Sequence, residues 1–421
     1  MTLGAVLMLG GMNGSRSDEL SGSVGVNDAA SPGGFALPSL PENWADLPFR
    51  LTATENVAYN SNIFSVPIGA GLASRQPLGD FTSTTTVGMS TAAHWYGQQF
   101  FFDGDYGSIR YLHQVDNNAN VYSFSAGDNW TLTSRCSGLL SAQLNKTPST
   151  INEQVGGGIN YTTTTALNES GKCLVGNGYS LIFNSGWTKT SNSNSLNAVN
   201  NSRVVMLAAG IEYAFGPDTL TALATLSDSN FSQRNQVANA VGLANTVDYH
   251  HFTLSYSRQL NPNWTFTGQV GIVGVTNAFG LGLPKTLLPT YSVAVTWAIT
   301  PKVALTASGA RSIAPPTTVL ANAQETYDAA VGLSYQATPK LNFSAGGSVG
   351  YSSSAFTPAL PGTIFTPYFT ATDFYGLHAA MTYTITPFMS AALAATYTER
   401  VANHSITPQD VITVSLNYRP Y

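Results

Sequence analysis

From Arg203 onward the chain alternates apolar and small or polar residues with period two. Leu207, Ala209, Ile211, Tyr213 and Phe215 share one parity, with Ala208, Gly210, Glu212 and Ala214 on the other. Tyr291–Ala310 is the cleanest case. Tyr291, Val293, Val295, Trp297 and Ile299 oppose Ser292, Ala294, Thr296 and Ala298. After Thr300-Pro301-Lys302 the pattern resumes, with Val303, Leu305 and Ala307 against Ala304, Thr306 and Ser308. Successive side chains of a strand point to opposite faces, so each stretch predicts a strand with one apolar and one small, polar face.

Gly216-Pro217-Asp218 opens a series of short turns. It continues through Asn261-Pro262-Asn263, Thr300-Pro301-Lys302, Thr338-Pro339-Lys340 and Thr386-Pro387-Phe388. Proline fixes φ and cannot donate to a central ladder, so these positions punctuate strands. They recur roughly every 40 residues, each interval holding two long strands and one longer polar connection. A propeller has a similar repeat, but its blades hold four short strands. Short turns alternating with long loops predict an all-β, transmembrane up-and-down antiparallel barrel of about 18 strands, with 16 as the alternative count.

The N-terminal half is less regular. Strands are predicted over Phe49–Asn60, Phe81–His94, Gln98–Leu112, Val121–Thr133, Ser137–Leu144, Val155–Leu167 and Gly176–Thr190. Glu55 interrupts the apolar parity of the first. Asp128 does so between Ala126 and Trp130, which predicts a bulge or a shifted register there. The connections Phe231–Ala244, Asn277–Pro289, Ile313–Gln324, Phe356–Phe369 and Val401–Pro408 read as exterior loops. Residues 1–46 read as a signal remnant and flexible Gly/Ser/Pro/Asn-rich leader, leaving 47–421 as the barrel.

Composition narrows the class. Charged residues make up 9% of the chain, against roughly 25% in ordinary globular proteins, while hydrophobic residues reach 43%. No window holds the 18 or so unbroken apolar residues of a transmembrane helix. That balance suits strands with lipid on one side and water on the other. A net charge of -5 with no basic stripe argues against a nucleic-acid partner. Trp95, Trp130, Trp264 and Trp297 lie near proposed short turns, where amphipathic rings would mark a membrane–water interface.

Candidate chemistry is sparse. No Gly-x-Ser-x-Gly motif occurs, and the six histidines are scattered. His250 and His251 are sequence neighbours on a strand and so point to opposite faces. No zinc-ligand spacing exists, and neither a cofactor nor an enzymatic activity is expected. The inward parity is mostly hydroxyl, amide and small residues. Its candidate pore-lining positions are Arg50, Glu212, Gln269, Ser292, Thr296 and Asp328. Cys136 and Cys173 are either two separate thiols or, in an oxidising compartment, a disulfide at the turn-side rim.

Two stretches carry resemblances. Val411–Tyr421 (VITVSLNYRPY) alternates and ends in an aromatic residue, with Tyr418 and Tyr421 as the aromatic positions. It resembles the C-terminal strand signal of bacterial outer-membrane proteins, which implies the barrel-assembly machinery as a partner. Thr54–Phe64 (TENVAYNSNIF) is similar to the Tyr-Asp-Ser-Asn-Ile/Leu-Phe opening of proteobacterial putative β-barrel porins, including exopolysaccharide-associated ones, with Asn60 where that family has Asp. The resemblance implies a barrel in the outer membrane of a Gram-negative bacterium, surrounded by the lipid bilayer. Three functions stay open: a passive channel for small neutral or polar solutes, saccharides included; a non-transporting scaffold, adhesin or polysaccharide-export accessory; and a soluble or surface-layer all-β protein. The oligomeric state is open too.

Overall fold

The computed structural model describes residues 49–63, 79–148, 159–193, 198, 201–234, 245–261, 263–277, 286–314, 323–355, 371–402 and 405–419. The expected leader over 1–46, most of the long connections and Tyr421 lie outside the described residues.

Eighteen strands form one sheet. They are β1 (Arg50–Asn60), β2 (Asp80–Trp95), β3 (Gln98–Tyr111), β4 (Ala119–Thr133), β5 (Cys136–Pro148) and β6 (Tyr161–Gly176). Next come β7 (Tyr179–Asn192), β8 (Ser202–Phe215), β9 (Asp218–Asn230), β10 (Thr246–Asn261), β11 (Trp264–Asn277) and β12 (Thr286–Thr300). The last six are β13 (Val303–Ala314), β14 (Ala323–Thr338), β15 (Leu341–Ala355), β16 (Ala371–Thr386), β17 (Met389–Ala402) and β18 (Ser405–Tyr418). Each strand pairs antiparallel with its sequence neighbours, and β1 pairs antiparallel with β18. The sheet is therefore a closed up-and-down barrel without a free edge.

The largest departure from the sequence pattern is in β5–β7. Sequence places strands over Val155–Leu167 and Gly176–Thr190, whereas the ladder runs Tyr161–Gly176, turns, and resumes at Tyr179. Asn177 and Gly178 form the two-residue turn with φ of 52° and 83°. Both are left-handed, and Asn-Gly is the pair that tolerates this in a tight hairpin. Tyr96-Gly97, with φ of 44° and 82°, does the same between β2 and β3.

The two faces of the sheet differ in exposure. Val293, Val331, Leu377 and Val414 stand on the outer face with 45%, 52%, 63% and 55% of their surface open. An outer face with so many exposed large apolar side chains is rare on a water-solvated monomer. The inner face carries the other parity. There Thr221, Ser352, Thr413 and Ser415 are buried against neighbouring strands. At the turn end Trp264 packs on Trp297 (centroids 4.8 Å apart) and Trp130 lies parallel to Phe183 (6.2 Å). Trp95 ends β2 beside the exposed Tyr96.

No bulge accommodates Asp128. The β3–β4 ladder runs unbroken through Asp128↔Phe100, and β4–β5 through Asp128↔Leu140, with a shift only at Thr131/Thr133. Asp128 and Glu55 both stand on the outer face in normal register.

The β1–β18 seam is reinforced by side chains from Tyr59–Ile63. The Asn62 amide donates to the Pro408 carbonyl (3.1 Å), and Gln409 Nε2 donates to Asn60 Oδ1 (3.1 Å) and to the Asn62 carbonyl (3.2 Å). The Asp410 backbone N–H donates to Ser61 Oγ (2.8 Å). These polar residues thus knot the first strand to the last.

Candidate functional site: the inner wall of the barrel

Register fixes which inward residues are neighbours. One cross-strand row runs Glu212, Thr221, Ser255, Gln269 and Ser292, from β8 to β12. It continues through Ala310, Asp328, Gly350 and Phe374 to Arg400, on β13 to β17. Strands of a barrel are tilted, so a row along the ladder direction winds around the wall as it climbs. Here it starts at Glu212, near the turn after β8, and finishes at Arg400, near the loop end of β17.

Four of the six sequence candidates lie on this row. Gln269 and Ser292 are direct cross-strand partners, Asp328 follows two strands on, and Glu212 precedes. Thr296 lies nearer the turns, between Thr265 and Thr306. Arg50 is in a different sector, opposite Ser90, which is in turn opposite Asp103.

Several inward charges were not named from sequence. The Lys172 ammonium on β6 pairs with the Glu212 carboxylate across β7, so the acid end of the row is neutralised within the wall. Arg400 lies over the Phe374 ring, 5.2 Å from its centroid. Asp103 and Asp105 face inward on β3, and Asp105 and Thr52 lean together over Gly88. A Cβ there would meet them at 2.1 and 2.4 Å. Signals existed for some of these. Arg400 shares the parity of Thr396 and Thr398, and Asp103 and Asp105 alternate with Phe102 and Tyr106. Phe101 on the same parity blurs that row.

Elsewhere the described wall is mostly neutral. Ser123 donates to Asn145 (2.7 Å), Gln324 to Ser352 (2.6 Å), and Thr54 to Asn417 across the seam (2.9 Å). Asp80, fully buried at the loop end of β2, accepts backbone N–H groups of Phe81 (2.8 Å), His113 (3.0 Å) and Gln114 (2.9 Å), pinning the β3–β4 connection. Among the described residues no cluster of metal-ligating side chains occurs. Such a wall can exchange weak hydrogen bonds with a solute.

The start of the β9–β10 connection departs from the exterior placement expected for Phe231–Ala244. Phe231 is 2% and Arg234 1% exposed. Phe231 clusters with Val247 and Tyr249 of β10, Val273 and Val275 of β11, Ile313 and Ala323. Val247, Tyr249, Val273 and Val275 belong to the inward parity by register, so this segment folds onto the inner wall. The Arg234 guanidinium stacks 3.6 Å from the Phe231 ring centroid. Burial pulls its pKa down to about 10, which leaves it charged at neutral pH.

Cys136 and Cys173 are direct cross-strand partners near the turn ends of β5 and β6, joined as a disulfide with Cα atoms 4.1 Å apart. Unreduced protein should therefore take up no thiol label, and reduction should expose two labelled cysteines by mass. Two labelled thiols before reduction would contradict the pairing. Tyr418 closes β18 opposite Ala53 and Met389.

No protein-family model matches the sequence, and no curated protein does. Solved structures resemble it at low identity. OccK2 (OpdF) from Pseudomonas aeruginosa, in complex with glucuronate, has a TM-score of 0.48 at 11% identity, covering 90% of this chain and 99% of that one. OccAB2 from Acinetobacter baumannii has a TM-score of 0.49 at 10% identity, with coverage of 89% and 98%. The siderophore receptor PirA from Pseudomonas aeruginosa has a TM-score of 0.45 at 11% identity, with coverage of 88% and 80%. These are likenesses of architecture.

Proposed function

We propose that the chain is an outer-membrane, porin-like passive channel for small neutral or weakly polar solutes. The observation that carries this reading is the pairing of a closed 18-stranded barrel with a hydroxyl- and amide-rich inner wall. A barrel of this size is too wide for its own side chains to fill, and 16–18-stranded porins leave an aqueous channel. The exposed apolar belt on the outer face is the surface that acyl chains would cover. Lys172 neutralises Glu212, so the wall lacks a dominant charge of one sign at its turn end.

Small saccharides are the first solutes to test. They present hydroxyl groups to Ser, Thr, Asn and Gln side chains, and Thr54–Phe64 resembles the opening of putative β-barrel porins, a group that includes exopolysaccharide-associated ones. Planar-bilayer recording of folded protein should give stepwise conductance. Proteoliposomes should swell in neutral sugars at rates that fall with solute size. Folded protein that produces neither would defeat the proposal.

A further inference from the structure

We propose that the loop-end outer rim of β3–β8 binds the phosphate-bearing headgroup of a lipid in the surrounding leaflet. The proposal rests on the barrel lying in a membrane but not on its conducting solutes.

Outward charges on the loop halves of the strands divide by sign. Over β3–β8 they are Arg110, Lys146, Lys189 and Arg203, each within four residues of the loop end of its strand. The outward carboxylates of these strands, Asp128 and Glu169, stand on the turn halves. Over β9–β18 the loop halves carry Asp228, Asp248, Glu325, Asp373, Glu399 and Asp410. Arg311, the basic residue in that sector, is paired with Glu325 and donates to the Pro289 carbonyl (2.6 Å). Arg110, Lys146, Lys189 and Arg203 enter no ion pair among the described residues. Asp116, exposed in the β3–β4 connection, and Asp228, diagonal to Arg203, flank this basic patch.

The patch sits where a headgroup would lie. On β7, Lys189 is the next outward residue beyond Trp187, toward the loops. Trp187 faces Val205 and Lys189 faces Arg203 on β8. On β5, Lys146 faces Tyr122, and its ammonium lies 5.5 Å from the Tyr161 ring centroid. Aromatic rings favour the headgroup level, and basic side chains beside them extend toward its charged groups. Turn-ward of the basic pair, Val205, Leu207 and Leu181 are exposed on the same outer face. An amphipathic ligand thus finds cationic groups for its head and an apolar surface for its tails, whereas a free anion would use only the first.

The facing pair of Lys189 and Arg203 favours an anion between them. Like charges directly opposite each other destabilise a sheet. Facing carboxylates such as Asp228 and Asp248 can share a proton, but a guanidinium keeps its charge. A phosphate between the two side chains replaces their repulsion with charge-assisted hydrogen bonds. The arginine meets it as a fork and the lysine as a point charge.

Native mass spectrometry of the folded, full-length protein in detergent micelles tests the proposal. The probes are a bis-phosphorylated glycolipid, the same lipid without phosphate, and inorganic phosphate. The phosphorylated lipid should stay bound to more barrels than its phosphate-free form, and millimolar inorganic phosphate should not displace it. Each basic residue near an anionic lipid surface strengthens attraction about fivefold, so Lys146→Gln/Lys189→Gln/Arg203→Gln should weaken binding about a hundredfold. Lys302→Gln/Lys340→Gln, exposed at the opposite rim, should leave binding unchanged, and Lys189→Arg should retain it. Equal binding of the two lipids, displacement by inorganic phosphate, a triple variant that binds like wild type, or equal loss in the turn-end variant would each overturn it. If the triple variant fails to fold, Lys189→Gln at its exposed position decides, with a loss of about fivefold expected. Binding is read by mass without any current, so loss of the channel proposal would leave this result standing.

Discussion

Phe231→Ala is expected to raise single-channel conductance and open-channel noise. Phe231 is 2% exposed and holds the start of the β9–β10 connection against inward residues of β10 and β11, with Arg234 stacked on its ring. Truncating a buried phenylalanine to alanine costs about 3–5 kcal/mol. The Phe231 ring is the large apolar side chain that the start of this connection contributes to the cluster. Even 3 kcal/mol moves the balance between docked and released segments by about a hundredfold. The released segment would leave the wall, widen the passage and fluctuate, while the closed ladder of strands keeps the barrel folded. Planar-bilayer traces of wild type and variant at equal salt are the comparison. Unchanged conductance and noise would mean that Phe231 does not restrict the passage.

The second large effect is expected at the seam. Asn62 is 5% exposed, and its amide donates to the Pro408 carbonyl; Asn60 accepts from Gln409. Asn62→Ala leaves the Pro408 carbonyl short of its donor, a cost of about 1 kcal/mol. Asn60→Ala/Asn62→Ala should cost more, because both bonds cross the same pair of strands. The readout is the temperature at which the compact gel form converts to the unfolded one. Asn145→Ala removes a comparable side-chain bond, to Ser123, away from the seam and serves as the control. Equal shifts for the seam and control variants would show that Tyr59–Ile63 has no special part in closure. The motif's resemblance to a porin family's opening thus acquires a structural content in this chain. It joins the first strand to the last.

The strand pattern was most legible where one face met an apolar environment and the other carried small polar residues. From β8 onward mid-strand interruptions of the alternation are few, such as Leu223 facing inward on β9 and Asp410 outward on β18, and the strands, their turns and the inward identity of Gln269, Ser292 and Asp328 follow from parity. Between β3 and β7 parity is a poorer guide. Asp128 and Glu169 stand on the outer face and Phe101 on the inner one, so counting apolar residues assigns faces badly. The Asn177-Gly178 turn was visible as a dipeptide but lay inside an apparently continuous run. The pairing of Lys172 with Glu212 depends on hairpin registers that parity does not supply. The inward fold of Phe231 and Arg234 depends on tertiary packing, and a polar connection read alone points outward.

Every ladder in the sheet but one joins strands adjacent in sequence. The exception, β1–β18, brings Asn60 opposite Val411. Local hairpins can form as the chain is supplied, but this last contact spans almost the whole polypeptide and waits for its final strand. Until then β1 presents unpaired backbone groups, and such an edge can recruit any other strand. The slowest and most hazardous step in making this molecule is therefore its circularisation, and a chain stopped before Ser405 would persist with both rims of its sheet open.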